Sequence, residues 1–412
     1  MNWSISSGAL PPGLALDPAA GSITGTPTAT GTYSFTVTAS DAAGSGHQPY
    51  TMTIASAPGG LTYTITPSVI PNGVVGTAYS VQLACSTGTS GGTMVFPADH
   101  ILNTAIDTAP LLSNSDAMIA QMVADNTAAG QPNVTVHPGF EMPTNIGVFP
   151  MQNISFNDAG DSDAGPYPIP ANPQVEGGTD GHMLVRATDT NKLYEIYLFQ
   201  MPPAVSGCGA IWDLNGYDLR TLWETSTDGA GLPVFPLLIR YDEFANGVIP
   251  HALRVTVKSV RNYGNYGGVP LDPGLPTTPP ATWPARHRFN TTDTNPNEPS
   301  AGERFRLKAS FDDSALSPET RVITACLKKY GCIVADGGGS VLFGLQGDTN
   351  PAWLGATPPS PSGTTYDSLT DKLVTELRNV PVTAFEVVDG VTNYIISSNS
   401  GQAKQPQAPA SK

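Results

Sequence analysis

The stretch Tyr33-Ser-Phe-Thr-Val-Thr-Ala39 alternates large apolar with small polar residues, and this period of two decides the fold class. It places Tyr33, Phe35 and Val37 on one face of a strand. Tyr50-Thr-Met-Thr-Ile54 repeats the pattern, and Asp41-Ala-Ala-Gly44 between them supplies turn residues. The whole chain has the same character. Of 412 residues, 43 are Gly and 39 are Pro, while only 13% are charged. Such a composition predicts a turn-rich, mainly β protein of two or three domains; it excludes a coiled coil, and collagen is excluded because the Gly has no three-residue period.

Around those strands the sequence becomes specific. Leu10-Pro-Pro-Gly-Leu-Ala-Leu-Asp-Pro-Ala-Ala-Gly-Ser-Ile-Thr-Gly-Thr-Pro27, followed by Gly31-Thr-Tyr-Ser-Phe-Thr-Val-Thr-Ala-Ser-Asp41, resembles the Ig-like (cadherin-like) module of bacterial exported proteins over residues 1–57. That family opens with a Gly-x-x-Tyr strand pair, which is missing before Trp3. A matching opening stands later, at Val75-Gly-Thr-Ala-Tyr-Ser-Val-Gln-Leu-Ala84. Either a second module begins there or that segment completes the first sheet, whose open edge would otherwise invite aggregation. The resemblance implies a truncated or rearranged Ig-like β-sandwich at 1–57, with linker and strands at 58–96.

Residues 97–396 read as a larger β-rich domain, sandwich or barrel, with a few short helices. Strands are expected at 182–187, 192–200, 237–241, 251–258 and 304–311. Helices are expected at 115–124, at 317–331 with Ser317 as N-cap, Pro318 in the first turn and Gly331 as stop, and at 366–378 with Leu369, Leu373, Val374 and Leu377 on one face. The segments Arg240-Tyr-Asp-Glu243, Trp283-Pro-Ala-Arg-His287 and Lys329-Tyr-Gly-Cys-Ile-Val-Ala-Asp336 resemble a group of uncharacterised proteins exported by soil bacteria, which implies no stated activity. The polar, Pro-rich end, 397–412, reads as a disordered tail.

The net charge of −15 argues against nucleic acid and against an anionic membrane surface as partners. No run of 18 apolar residues predicts a membrane span. Few Lys and much Thr, Ser, Asn and Gly suit a secreted or cell-surface bacterial protein, its signal lying outside a sequence that opens Met1-Asn-Trp-Ser4. Cys85, Cys208, Cys326 and Cys332 show neither CxxC pairs nor zinc spacing. Cys326 and Cys332 can be read as a local disulfide or as buried thiols.

No GxSxG, HExxH, Walker or strand-borne GxGxxG motif occurs, which removes classical lipases, zincins, P-loop NTPases and nicotinamide enzymes. Asp336-Gly-Gly-Gly-Ser340 reads as a turn after a strand. His182 and His251 open strands and His287 follows Trp-Pro. Three such imidazoles on one rim could hold a metal, and one or two could act as acid or base. Asp242 and Glu243 are expected to close one strand, with Asp213 in a similar place; Asp213 and Glu243 could form a glycosidase pair. Asn246-Gly247 signals a hairpin, so His251 on the returning strand should meet Asp242 or Glu243, with His287 in the same cleft.

Arg304, Arg306 and Lys308 alternate along one strand face near Arg286 and Arg288, five of the 19 basic residues, and could grip an acidic sugar or pair with the protein's own carboxylates. Trp212, Trp223, Trp283, Trp353, Tyr263 and Tyr266 are loop aromatics that could stack on sugars or plug the core. The candidate substrate-binding residues are Arg286, Arg304, Arg306, Trp283, Trp212 and Tyr241, and the candidate catalytic residues are His251, His287, Glu243, Asp242, Asp213 and His182. These features favour an exported enzyme cleaving a polysaccharide by hydrolysis or elimination, with no cofactor. A non-catalytic surface adhesin or glycan-binding protein is the alternative, and a metalloenzyme using His182, His251 and His287 a third. The oligomeric state stays open.

Overall fold

The computed structural model describes residues 2–25, 31–41, 44–54, 62–66, 84–88, 94–128, 133–136, 142–268, 278–289, 291–337, 344–349, 353 and 368–404. The chain divides into two units, residues 1–93 and 94–412.

The first unit is all β. It holds β1 (Asn2–Gly8), β2 (Leu14–Leu16), β3 (Ile23–Gly25), β4 (Gly31–Asp41), β5 (Gly44–Ile54), β6 (Thr62–Thr66) and β7 (Ala84–Gly88). β4 lies between β1 and β5, antiparallel to both, with Trp3 opposite Ala39 and Phe35 opposite Tyr50. The alternation around Phe35 buries it with Val37 and Trp3 in a small core. Gly21 is required beneath Trp3: its φ is +70°, and a methyl there would lie 2.7 Å from the indole. β2 and β3 form one hairpin, and β6 pairs with β7. The Gly-x-x-Tyr opening at 75–84 lies outside the described residues, apart from Ala84 on β7.

The second unit runs through α1 (Ser115–Ala128), β8 (Thr135–Val136), β9 (Thr144–Gly147), β10 (Met151–Gln152), β11 (Ser155–Phe156), β12 (Tyr167–Pro168), β13 (Met183–Ala187), β14 (Lys192–Tyr197), β15 (Val205–Ser206) and β16 (Cys208–Asp213). It continues with α2 (Tyr241–Ala245), β17 (Leu253–Val257), β18 (Arg304–Leu307), α3 (Pro318–Lys329), β19 (Cys332–Gly337), β20 (Gly344–Leu345), α4 (Leu369–Leu377) and β21 (Phe385–Val388). A six-stranded mixed sheet, in the order β21-β18-β19-β17-β20-β8, forms its centre. A four-stranded sheet has the order β16-β14-β13-β9.

Side-chain alternation sorts these sheets into layers. On β19, Cys332 and Val334 join the core shared with α1, α3 and α4, whereas Ile333 and Ala335 join a second core with Leu184, Leu193, Ala210 and Trp212 of the four-stranded sheet. Met183, Val185, Tyr194 and Ile196 face the far side of that sheet, beneath Ile154, Tyr167 and Ile169.

The helices follow their sequence signals. Ser317 Oγ accepts from Thr320 N at 3.3 Å, and Gly331 (φ +66°) ends the turn where a methyl would strike Phe305 O. Glu376 of α4 accepts from Ser317 Oγ at 2.7 Å and Thr320 Oγ1 at 2.6 Å, tying α4 to the start of α3.

Two expectations are corrected, and one alternative left open is decided. Residues 237–241 are not a strand: 235–237 form a 3-10 turn and Tyr241 opens α2, because the carboxylate of Glu195 collects the Val234 and Phe235 amides, each at 2.9 Å. Cys326 and Cys332 are buried free thiols, as is Cys208; the two sit on different elements, and Cys326 Sγ donates to His251 O. The expected tail is packed as far as 404: Ile101 N donates to Gly401 O, Gly401 N to Tyr217 O, Ala403 N to Asp99 O and Trp283 Nε1 to Ser400 O. No helix among the described residues is long and apolar enough to cross a membrane.

Candidate acid–base site around Gly229

The two central strands β17 and β19 run parallel and slip by one residue: Val255 lies opposite Val334, but Thr256 lies opposite Asp336. Ala335 is thereby displaced from the ladder, and its carbonyl accepts from Ala230 N at 2.9 Å. That bond ties the loop 225–231 to the strand end. Ser226 folds the loop inward, its hydroxyl 2.6 Å from Leu232 O and 3.0 Å from Asp228 N. Gly229 has no room for a side chain; a methyl would lie 2.5 Å from Phe289 Cε1 and 2.7 Å from Asp336 Oδ1.

Arg254, on β17 and buried, grips Asp228 with two bonds of 3.0 and 2.7 Å. Its Nη2 also stands 4.0 Å from Asp336 Oδ2. The two carboxylates therefore share one guanidinium, but unequally. Asp228 is committed to it and closed to solvent. Asp336 keeps its side chain 39% exposed. Burial of its carboxyl, reinforced by the nearby Asp228 charge and only partly offset by Arg254, pushes its pKa up to about 7.

Across Gly229 stands His287, partly exposed, with Nδ1 3.0 Å from Gly229 O. Nδ1 must donate in that bond, so the neutral ring presents a free lone pair at Nε2. Beside it Trp223 holds a left-handed backbone (φ +80°), costly for an aromatic residue and a mark of positioned side chains. The Arg288 guanidinium lies 5.3 Å over its ring.

Behind the loop, His182 Nδ1 meets Glu176 Oε2 at 2.5 Å and its Nε2 meets Thr227 O at 2.8 Å. Both nitrogens face acceptors, which only a doubly protonated ring satisfies. Burial alone would lower the His182 pKa, but the Glu176 bond outweighs it and raises it. Burial likewise works to raise Glu176, yet His182 holds it below the usual range. The His182 ring lies 5.4 Å from Tyr197.

Of the residues singled out from sequence, His287 stands at this site and His182 supports its loop. The others lie elsewhere. His251 does meet Glu243, Nε2 to Oε2 at 2.9 Å, but not across a hairpin: Glu243 is on α2, a helix that the expected strand end excludes. Arg240 Nη2 binds the other Glu243 oxygen at 2.5 Å, and all three groups are at most 4% exposed. This is a closed ionic knot under the surface, not a cleft shared with His287. Asp242 is exposed on the same helix, and Asp213 is exposed at the end of β16, where it accepts from Asn215 N.

The basic face is used internally. Arg304 donates to Ile101 O and Tyr330 O, Arg306 to Ile106 O and Glu386, and Lys308 to Thr383 O. Arg286 donates to Arg220 O and Ser398 O, and Trp283 and Trp212 are core residues. Tyr241 packs edge-on against Trp353.

A tri-histidine metal site is also corrected. His182 and His251 have both ring nitrogens engaged, His251 Nδ1 with Ala252 O, so neither has a lone pair for a metal. Among the described residues no three His, Cys, Asp or Glu side chains converge as metal ligands. What the sequence did not single out is Asp336, Asp228, Arg254 and the setting of Trp223. The available signal was Asp336, the first polar residue after the apolar run Ile333-Val-Ala335, directly before three glycines.

In comparison with known proteins, residues 1–55 match the family described as "Putative Ig domain". No curated protein and no solved structure matches.

Proposed function

We propose that residues 94–404 form the catalytic part of an exported enzyme that hydrolyses a polysaccharide, with the Ig-like module at the N-terminus as an accessory. The observation that carries this reading is the placement, beside Gly229, of the Asp336 carboxyl, whose pKa burial pushes up to about 7, and of an imidazole whose Nε2 is free. Asp336 would protonate the glycosidic oxygen as the bond breaks. His287 Nε2 would take a proton from the attacking water, and Trp223 with Arg288 would offer a face to the sugar ring. Arg254, its charge largely taken up by Asp228, would only partly offset the burial that keeps the proton on Asp336. Elimination remains open beside hydrolysis, because Arg288, which among the described residues pairs with no carboxylate, could neutralise a uronate.

A glycan-binding protein without chemistry is the second reading, favoured by the Ig-like match and the Trp223–Arg288 stack. A panel of plant, algal and microbial polysaccharides, read by new reducing ends and by absorbance of unsaturated products, separates the cases. Reducing ends without unsaturation, lost in Asp336→Asn and His287→Gln, support hydrolysis. Retention of a glycan without any product supports the binder, and neither result on any glycan removes both.

A further inference from the structure

The charges around Gly229 do not all cancel. Arg254 is matched by Asp228 at 2.7 Å, Arg220 by Asp163 at 2.6 Å and Arg261 by Glu303 at 2.7 Å. Arg286 is buried and spends its guanidinium on the carbonyls of Arg220 and Ser398 and the side chains of Tyr266 and Asn399. Arg288, one position beyond His287, is different. It is exposed, its one hydrogen bond among the described residues is a 3.3 Å donation to Asn262 O, and no described carboxylate pairs with it. The carboxylates of the adjoining loops turn elsewhere. Glu224, next to Trp223, lies 3.6 Å from Arg220 Nη2; Asp293, whose carbonyl holds Asn262 N, accepts from Asn295 N. Acidic residues outnumber basic ones by 34 to 19, so partners were plentiful.

We infer that the glycan occupying this site is acidic, and that Arg288, laid on Trp223, holds the carboxylate of a uronate residue. This rests on the reading of the Gly229 site as a glycan site. The guanidinium is held in place: it lies 5.3 Å over the Trp223 ring, and Trp223 N donates to Arg286 O at 2.9 Å. Trp223 Nε1 is closed to solvent and has no acceptor. The stack is therefore rich in donors and short of acceptors, and it stands next in sequence to the free imidazole of His287. A guanidinium fork meets a carboxylate in two parallel bonds, and the ring beneath it fixes the plane of the fork. The net charge of −15 repels a densely charged polymer at long range. The fitting substrate is a mostly neutral chain carrying isolated uronates.

The test uses the full chain and a set of soluble uronate-bearing polysaccharides, each beside its carboxyl-reduced form and a sulfated copy of that reduced form. Retention is read by affinity electrophoresis, and cleavage by new reducing ends and unsaturated products. The uronate form should be retained, or cut, about tenfold better than the reduced form, the scale of one charge-assisted pair of bonds. Arg288→Gln should erase that preference at an unchanged unfolding temperature, and Arg288→Lys should restore part of it. Asp336→Asn should keep the preference in retention while losing products. Equal handling of the uronate and reduced forms overturns the inference, as does a preference confined to sulfate esters, one that survives Arg288→Gln, or no hold on any uronate polymer. Arg288-dependent retention without products from the wild type removes the catalytic reading and leaves the acidic glycan in place.

Discussion

Glu243→Gln tests whether the Arg240–Glu243–His251 knot is structural. Glu243 is fully buried and accepts at 2.5 Å from Arg240 and at 2.9 Å from His251. Glutamine keeps the volume and one acceptor oxygen, but its amide nitrogen must face one of the two donors. One charge-assisted bond is lost, roughly 2 kcal/mol, and one buried donor is stranded, about 1–2 kcal/mol more. The expected cost is about 3–4 kcal/mol, in the range found when one partner of a buried ion pair is removed.

The cost has a pH signature. Burial works to raise the Glu243 pKa, but the Arg240 and His251 charges hold it below its usual value. A depressed folded pKa gives stability that is complete above the unfolded value, about 4.3, and is lost as pH falls through the folded one. The gap between wild type and variant should therefore be full near neutrality and close in acid. Urea unfolding at several pH values, with activity measured in parallel, reads both. A neutral-pH difference under about 1 kcal/mol, or lost activity at unchanged stability, refutes the structural assignment.

Asp336→Asn should lower hydrolysis by about 10²–10⁴-fold with little change in unfolding temperature, and wild-type activity should fall as pH rises through about 7, where Asp336 loses its proton; activity within a few-fold of wild type counts against it. His182→Gln should destabilise most below the ordinary histidine value of about 6.5. A raised folded pKa gives stability that is full there and fades as pH climbs through the folded value, so chemical unfolding should show the two proteins converging in alkali. Alkylation in denaturant without reductant, followed by peptide mass analysis, should label both Cys326 and Cys332, and a linked peptide would contradict the free thiols.

The first unit was legible because its signals are local. Phe35 and Val37 declare a strand face by alternation alone, and the same holds for the N-cap at Ser317 and the stop at Gly331. The site was not legible, because it depends on distant partners. Asp336 faces Arg254 only through a parallel pairing across 81 intervening positions, displaced by a bulge that no spacing reveals. Glu243 and His251 were matched correctly for the wrong reason: their closeness in sequence brought them together, but a helix turn rather than a hairpin does it. The basic stretch 304–308 failed differently. Alternation placed Arg304 and Arg306 on one face, yet only the fold could supply the carbonyls of Ile101 and Ile106 that occupy them.

The segment 397–404 has a consequence for folding. It supplies the acceptors for Arg286 and Trp283 and is bonded to 99–101, the beginning of the same unit. A chain without this segment leaves the Trp283 indole N–H and part of the Arg286 guanidinium without their acceptors, while Arg220 O and the Tyr266 hydroxyl still hold Arg286. The contact between 99–101 and 397–404 spans nearly the whole unit, so it carries a high loop-closure cost and is expected to form late in folding.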